Sequence, residues 1–424
     1  MSAPLCSAFD AIVVGGGPGG ATAAILLARM GQRVAVIEKA VFPRRKVCGE
    51  FISATTWPVL HGLGIAELLE REAGPVVRRV GVFAGPSTVT ASMTRGQPGN
   101  VDGGRAVRRD VLDTVLLDQA GAAGATIWQP WSLTGFAARP GSHACTVEHR
   151  ESGRRHVLEA PLVIAAHGSW ESGPLPTQQF RKDPLASDLL GFKAHFRGAT
   201  LSPDLMPLIA FPGGYGGLVN TGEERVSLSC CIRRDQLERC RMRWPGRKAG
   251  DAVLAHICEN SAGVAEALAQ ATREGAWLAA GPIRPGVRTF GHDGVFPVGN
   301  AAAEAHPVIA EGISIAIQSA ALLCEVLAPC LGTALTPAAM ASVRGQYARA
   351  WRANFLPRMR ASALYARIFM HPVCTRLAVA VMQQFPSVLQ FGAGWSGKLR
   401  SLRHVTRIAH WPPNSPAADK SRRA

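Results

Sequence analysis

A chain of 424 residues, 47% of them hydrophobic, is long enough to bury a sizeable core and form two closely associated domains plus a tail, which excludes an extended disordered tether. The net charge of +16 is lopsided: residues 334–424 hold fourteen Lys or Arg against one acid, Asp419, leaving a body near +3 and arguing against a nucleic-acid groove. Ten cysteines with no CxxC pair and no ligand-like spacing predict reduced thiols, with neither disulfides nor a metal.

Residues 1–9 show no basic stretch leading into an apolar one, and no apolar run of about 18 residues is read further on. The expectation is a cytoplasmic chain without a membrane span. Residues 10–14 read as a short apolar strand that leads into Gly15-Gly-Gly17-Pro18-Gly-Gly20 and a helical run ending before Gly31. A second apolar strand, residues 33–37, stops at Glu38 with Lys39 beyond it. In this βαβ unit Gly15 makes the tight turn, Gly17 admits a pyrophosphate, Gly20 lets helix and strand approach, and Glu38 accepts from ribose hydroxyls. A second GxGxxG at residues 392–397 has neither a preceding strand nor an acid at the required distance, and reads as a loop.

Three later segments join this unit. Residues 43–50 read Pro-Arg-Arg-Lys-Val-Cys48-Gly-Glu, Arg109 opens Arg-Asp-Val-Leu-Asp, and residues 294–300 read Gly-Val-Phe-Pro-Val-Gly299-Asn300 before Ala-Glu-Gly312-Ile313. Spread over about residues 9–330, these landmarks resemble the FAD-dependent oxidoreductases of the para-hydroxybenzoate hydroxylase and geranylgeranyl reductase type, which include the class A flavoprotein monooxygenases. The resemblance implies an α/β fold: a Rossmann-like FAD-binding domain of the glutathione reductase type, an inserted antiparallel sheet as substrate domain, and a C-terminal helical extension. The divisions it suggests are 1–172 with 284–333 for FAD, 173–283 for substrate, a basic helical region at 334–412 and a disordered tail at 413–424.

The resemblance also implies roles. Gly15, Gly17, Pro18, Gly20, Glu38 and Lys39 would hold the adenosine and pyrophosphate end of FAD, and Arg109 would lie near the phosphates. Gly299 and Asn300 stand where the family has Gly-Asp at the ribityl chain, and the amide of Asn300 can still accept and donate. Backbone N–H groups at Gly312 and Ile313 would face the flavin and favour its anionic reduced form. His167 replaces an acid that helps to place FAD and the nicotinamide partner.

Residues 190–196, 208–211 and 226–232 alternate as an antiparallel sheet, which the resemblance implies roofs the flavin and one face of the substrate pocket. Tyr215 is what remains of the prenyl reductase pattern Tyr-x-Trp-x-Phe-Pro, and the Trp-x-Trp-x-Ile-Pro pattern of flavin halogenases is absent. His306, Tyr215 and Cys48 are the candidate catalytic side chains, His306 as a proton carrier. From Thr336-Pro337 helical spacing continues to about Phe385 with expected breaks near Pro357 and Pro372. Residues 395–411, basic on one flank with a Trp at each end, read as a helix on an anionic membrane surface or as a solvated cationic face. The leading expectation is hydroxylation of a lipophilic phenolic or polyketide-like aromatic through a flavin C4a-hydroperoxide, with NAD(P)H as electron donor. A reductase of isoprenoid double bonds and a non-catalytic FAD-fold binding protein are the alternatives.

Overall fold

A computed structural model describes residues 6–93, 103–139, 141–169, 171–178, 183–290, 294–332 and 336–395. The strands Ala11–Val14, Val34–Ile37 and Leu162–Ala165 are buried along their whole length. Continuous apolar runs of this kind suit parallel strands covered on both faces. With Val295–Pro297 at one edge and Thr126–Trp128 at the other, they form a five-stranded parallel sheet. The helix α1, Pro18–Arg29, leaves the first strand through Gly15, whose φ of +109° excludes a side chain at low cost. A β-carbon at Gly20 would overlap the Gly15 carbonyl, so the third glycine is what lets helix and turn touch. The helix α2, Arg109–Ala122, and the helix α3, Gly312–Leu327, pack against α1.

The second sheet has seven strands in the order Thr272–Ile283, Leu189–Arg197, Arg225–Arg233, Gly214–Asn220, Leu205–Phe211, Arg79–Ala84 and Ser87–Ser92. It is antiparallel except where Leu205–Phe211 runs parallel to Arg79–Ala84. One layer of it is an apolar cluster that includes Phe192, Phe196, Ile209, Leu218, Leu228 and Ile257. Its other face meets the C-terminal helices through Val80, Val82, Ala210 and Tyr215, with Ala366 on the helical side.

Three expectations need correction. Residues 312–330 do form a helical stretch apolar and long enough to cross a membrane by composition, with a mean hydropathy of 1.7. Ile315, Ile317, Leu323 and Leu327 are buried against α1 and the long helix α4, Pro337–Met370, so this apolar length is consumed by the protein core. Pro357 does not break α4, which runs through it for 34 residues. An interior proline costs about 3 kcal/mol through its missing N–H and ring clash. Tyr347, Trp351 and Phe355 before it and Met359 and Ala361 after it are all buried, and that packing outweighs the local cost. The helix starts as read, with the Thr336 hydroxyl accepting from Ala339 N at 3.2 Å. Then α5, Pro372–Gln384, and α6, Ser387–Ala393, pack on the strands Arg79–Ala84 and Ser87–Ser92 at one edge of the seven-stranded sheet. Gly392 therefore lies in a helix and not in a loop, because Leu389 and Ala393 bury one side of α6. The basic segment from residue 396 and the tail 413–424 lie outside the described residues.

Candidate cofactor and substrate site

One cavity of about 1440 Å³ connects the start of α1 with the start of α3 and continues beneath α4 to α6. Gly15, Gly17, Pro18, Glu38, Lys39, Arg109, His167, Gly299, Asn300, Gly312 and Ile313 all line it, as do Cys48, Tyr215 and His306. Gly20 is not in the wall; it acts through the helix contact described above.

At the α1 end, the outward face of Gly17 is open, and a β-carbon there would sit 3.7 Å from Arg44 Nη2 and 4.0 Å from Arg109 Nη2. Pro18 occupies the first turn, where its missing N–H costs nothing, and no side chain caps the helix. The Glu38 carboxylate accepts from Gly16 N and Ala40 N, each at 2.8 Å, which fixes both oxygens at the end of the second strand with lone pairs to spare. Lys39 pairs with Glu171. Arg109 donates to both oxygens of Asp113, at 2.7 and 2.8 Å, and Arg44 stands 3.4 Å from the same carboxylate. Burial depresses the nearby Lys46 ammonium, and Arg109 and Arg44 push it further, to about 8. Three cations round an open backbone turn, only partly offset by Glu38 and Asp113, would suit a diphosphate.

At the α3 end, Gly312 has no neighbour within 4 Å of where its β-carbon would be, and no side chain caps this helix either. Ala310, just before it, holds a left-handed φ of 54°. A non-glycine residue there costs roughly 1 kcal/mol and persists where the surroundings over-determine it. Asn300 Nδ2 donates to Glu304 Oε1 at 3.4 Å, and Ser169 Oγ donates to the same oxygen at 2.8 Å. Burial raises the Glu304 carboxyl, opposed by Ser169 and Arg288. His167 Nε2 lies 2.9 Å from Thr177 Oγ1. Burial pushes this imidazole down to about 4, so it is neutral at pH 7 and can serve a phosphate as an N–H donor but not as a cation.

Tyr215 and His306, 91 positions apart, meet in the cavity wall with Oη and Nδ1 3.2 Å apart. Burial drives the phenol well above its usual value, helped by the neighbouring Cys231. Burial, followed by Arg367, takes His306 down to about 4. At neutral pH the pair is thus a protonated phenol beside a neutral imidazole, able to hold or pass one proton. Cys48 lies elsewhere in the wall, its Sγ accepting from Glu50 N at 3.4 Å and its carbonyl from Ser229 Oγ at 2.9 Å.

Sequence reasoning gave Glu50 no role. Its backbone is left-handed at φ 62°, its carboxylate is buried, and it pairs with Lys193 and, at 2.8 Å, with His195 Nε2. Both partners sit on Leu189–Arg197, so this ion cluster ties the Cys48-Gly49 loop to the seven-stranded sheet. Burial alone would raise the Glu50 carboxyl, but His195 and Lys193 bring it down to about 2 from 4.5. A depressed carboxyl stabilises the fold above its unfolded value and loses that contribution as pH falls. The expected result is that Glu50→Gln lowers the unfolding midpoint at pH 7, and that its deficit against wild type shrinks between pH 5 and pH 2. A deficit independent of pH, in thermal unfolding followed by circular dichroism, would rule the ion cluster out. The textual signals were a lysine and a histidine inside an apolar strand and, for Glu304, a single acid in an alanine-rich run.

A parallel sheet, a glycine turn and two uncapped helix starts on one elongated cavity define the fold of FAD-dependent oxidoreductases. Residues 8–342 match the family described as FAD binding domain, and the chain belongs to it. Conditioned medium factor receptor 1 of Dictyostelium discoideum is 27% identical over 173 residues, 38% of this chain and 34% of that protein. Digeranylgeranylglycerophospholipid reductase 2 of Methanopyrus kandleri is 27% identical over 386 residues, 85% of this chain and 86% of that one. The chain thus spans about a third of the first relative and most of the second. The myxobacterial chondrochloren halogenase CndH superposes with a TM-score of 0.75 at 20% identity, covering 95% of this chain and 96% of its own, a likeness of fold. The lining is compatible with FAD: Arg44, Lys46 and Arg109 would face its diphosphate, Glu38 the adenosine ribose and Asn300 the ribityl chain, with the ring system beside the Gly49 and Gly312 openings.

Proposed function

We propose that the protein is an FAD-dependent monooxygenase that takes electrons from NAD(P)H and hydroxylates a lipophilic phenolic ring carrying a long apolar chain. The observation that carries this reading is the two-part cavity. Beyond the stretch from the Gly17 turn to the Gly312 opening, it has a polar part with Tyr215, His306 and Glu304 and an apolar part that includes Val80, Val82, Met206, Leu208, Phe369 and Leu389. Bound FAD would supply the redox chemistry. Tyr215 and His306 would orient the phenolic hydroxyl and exchange its proton, while the apolar wall excludes water from the reacting ring. Oxygen uptake with NAD(P)H and a long-chain phenol, and a product one oxygen atom heavier, are the expected results. Turnover under strictly anaerobic conditions would contradict it.

The archaeal relative aligned over 85% of this chain favours a second reading, a reductase of isoprenoid-type double bonds in the same cavity. Chemically reduced flavin that leaves such alkenes unchanged would remove it.

A further inference from the structure

We infer that α5 and α6 seat the protein on an anionic lipid surface, with the cavity mouth opening onto that surface. Leu377, Val381, Val388, Phe391 and Trp395 line the cavity, yet each is 40% to 72% exposed. Side chains that belong to a pocket wall and to the outer surface at once mark its rim. Phe385, 57% exposed, extends the rim between the two helices. Thr375, Val379, Leu389 and Ala393 turn the opposite sides of the same helices into the protein, so the rim is a face and not a frayed end.

Charge selects the occupant. Residues 337–395 contain seven arginines and no acid, and Arg360, Arg367 and Arg376 are exposed. A second copy docking through these helices would bring two sets of arginines together with no acid from residues 337–395 to offset them. Residues 396–424, with seven further Lys or Arg and one acid, carry the same sign and make a poor cover. An anionic bilayer supplies both an apolar layer for the rim and negative headgroups for the arginines. A lipophilic substrate could then pass from the lipid into the cavity. That purpose rests on the function proposed above, but the docking does not, and vesicle binding is measured without substrate.

The test is flotation of the full, FAD-loaded chain with vesicles of phosphatidylcholine alone or mixed with phosphatidylglycerol. Binding to the mixed vesicles is expected, weakened by salt, and reduced about tenfold or more by Phe385→Asp and again by Phe391→Asp. Both variants should keep the wild-type flavin content, which shows that they fold. Equal binding to neutral vesicles, or none to either, would overturn the inference. So would a dimer in light scattering that the two substitutions abolish, or binding that only removal of residues 396–424 affects.

Discussion

An Arg109→Ala chain is expected to be nearly colourless and markedly less stable, and the Arg109→Ala/Asp113→Ala chain to regain stability while remaining colourless. Asp113 is fully buried and receives both guanidinium bonds of Arg109. Removing one partner of such a pair leaves an uncompensated charge and costs about 3–5 kcal/mol. Arg44, 3.4 Å from the same carboxylate, offsets part of that. Deleting both partners removes the stranded charge, so the double variant isolates what Arg109 does for the ligand. A charge-assisted bond to a phosphate contributes about 1.5–3 kcal/mol, which is roughly a 10- to 100-fold loss of FAD affinity. Fluorescence titration with FAD beside thermal unfolding separates the two effects. A double variant that recovers both stability and FAD affinity would show that Arg109 only neutralises Asp113.

Tyr215→Phe and His306→Ala should each lower kcat by about 10²–10³ with flavin content unchanged, and the double variant should be no slower than the worse single one. Proton transfer by a positioned side chain is worth about 10²–10⁴, and groups that act as one unit lose that advantage together. The pH profile adds a sign. With His306 held at about 4, the imidazole is neutral from pH 5 upward, so kcat should not fall between pH 8 and pH 5 through this group. A rate that halves near the ordinary histidine value of about 6.5 would place the working base elsewhere.

The strand–turn–helix–strand unit ending at Glu38 is legible because its determinants are contiguous. Strand, turn, helix and Glu38 fall within residues 10–38, and each glycine has a local backbone reason. Tyr215 and His306 were named singly; that they touch depends on a loop folding onto a strand 91 positions away. The role of Glu50 is not legible in its motif, since its partners Lys193 and His195 come from a strand about 145 positions on and only the sheet register aims them at it. Pro357 and Gly392 were misread for a shared reason. Local propensity argues for a break at each, and the burial of Trp351, Phe355, Leu389 and Ala393 overrides it. The apolar length of residues 312–330 was missed because small and polar residues interrupt it, although its hydropathy is that of a span.

The most direct test of the account is the comparison of FAD with FMN by calorimetric titration of the flavin-free chain. A ligand reaching from the Gly17 turn to the Gly312 turn binds with one FAD per chain, and FMN, which lacks the adenosine half, binds at least about a hundredfold more weakly. Equal affinity for the two flavins, or no uptake of FAD, would contradict it.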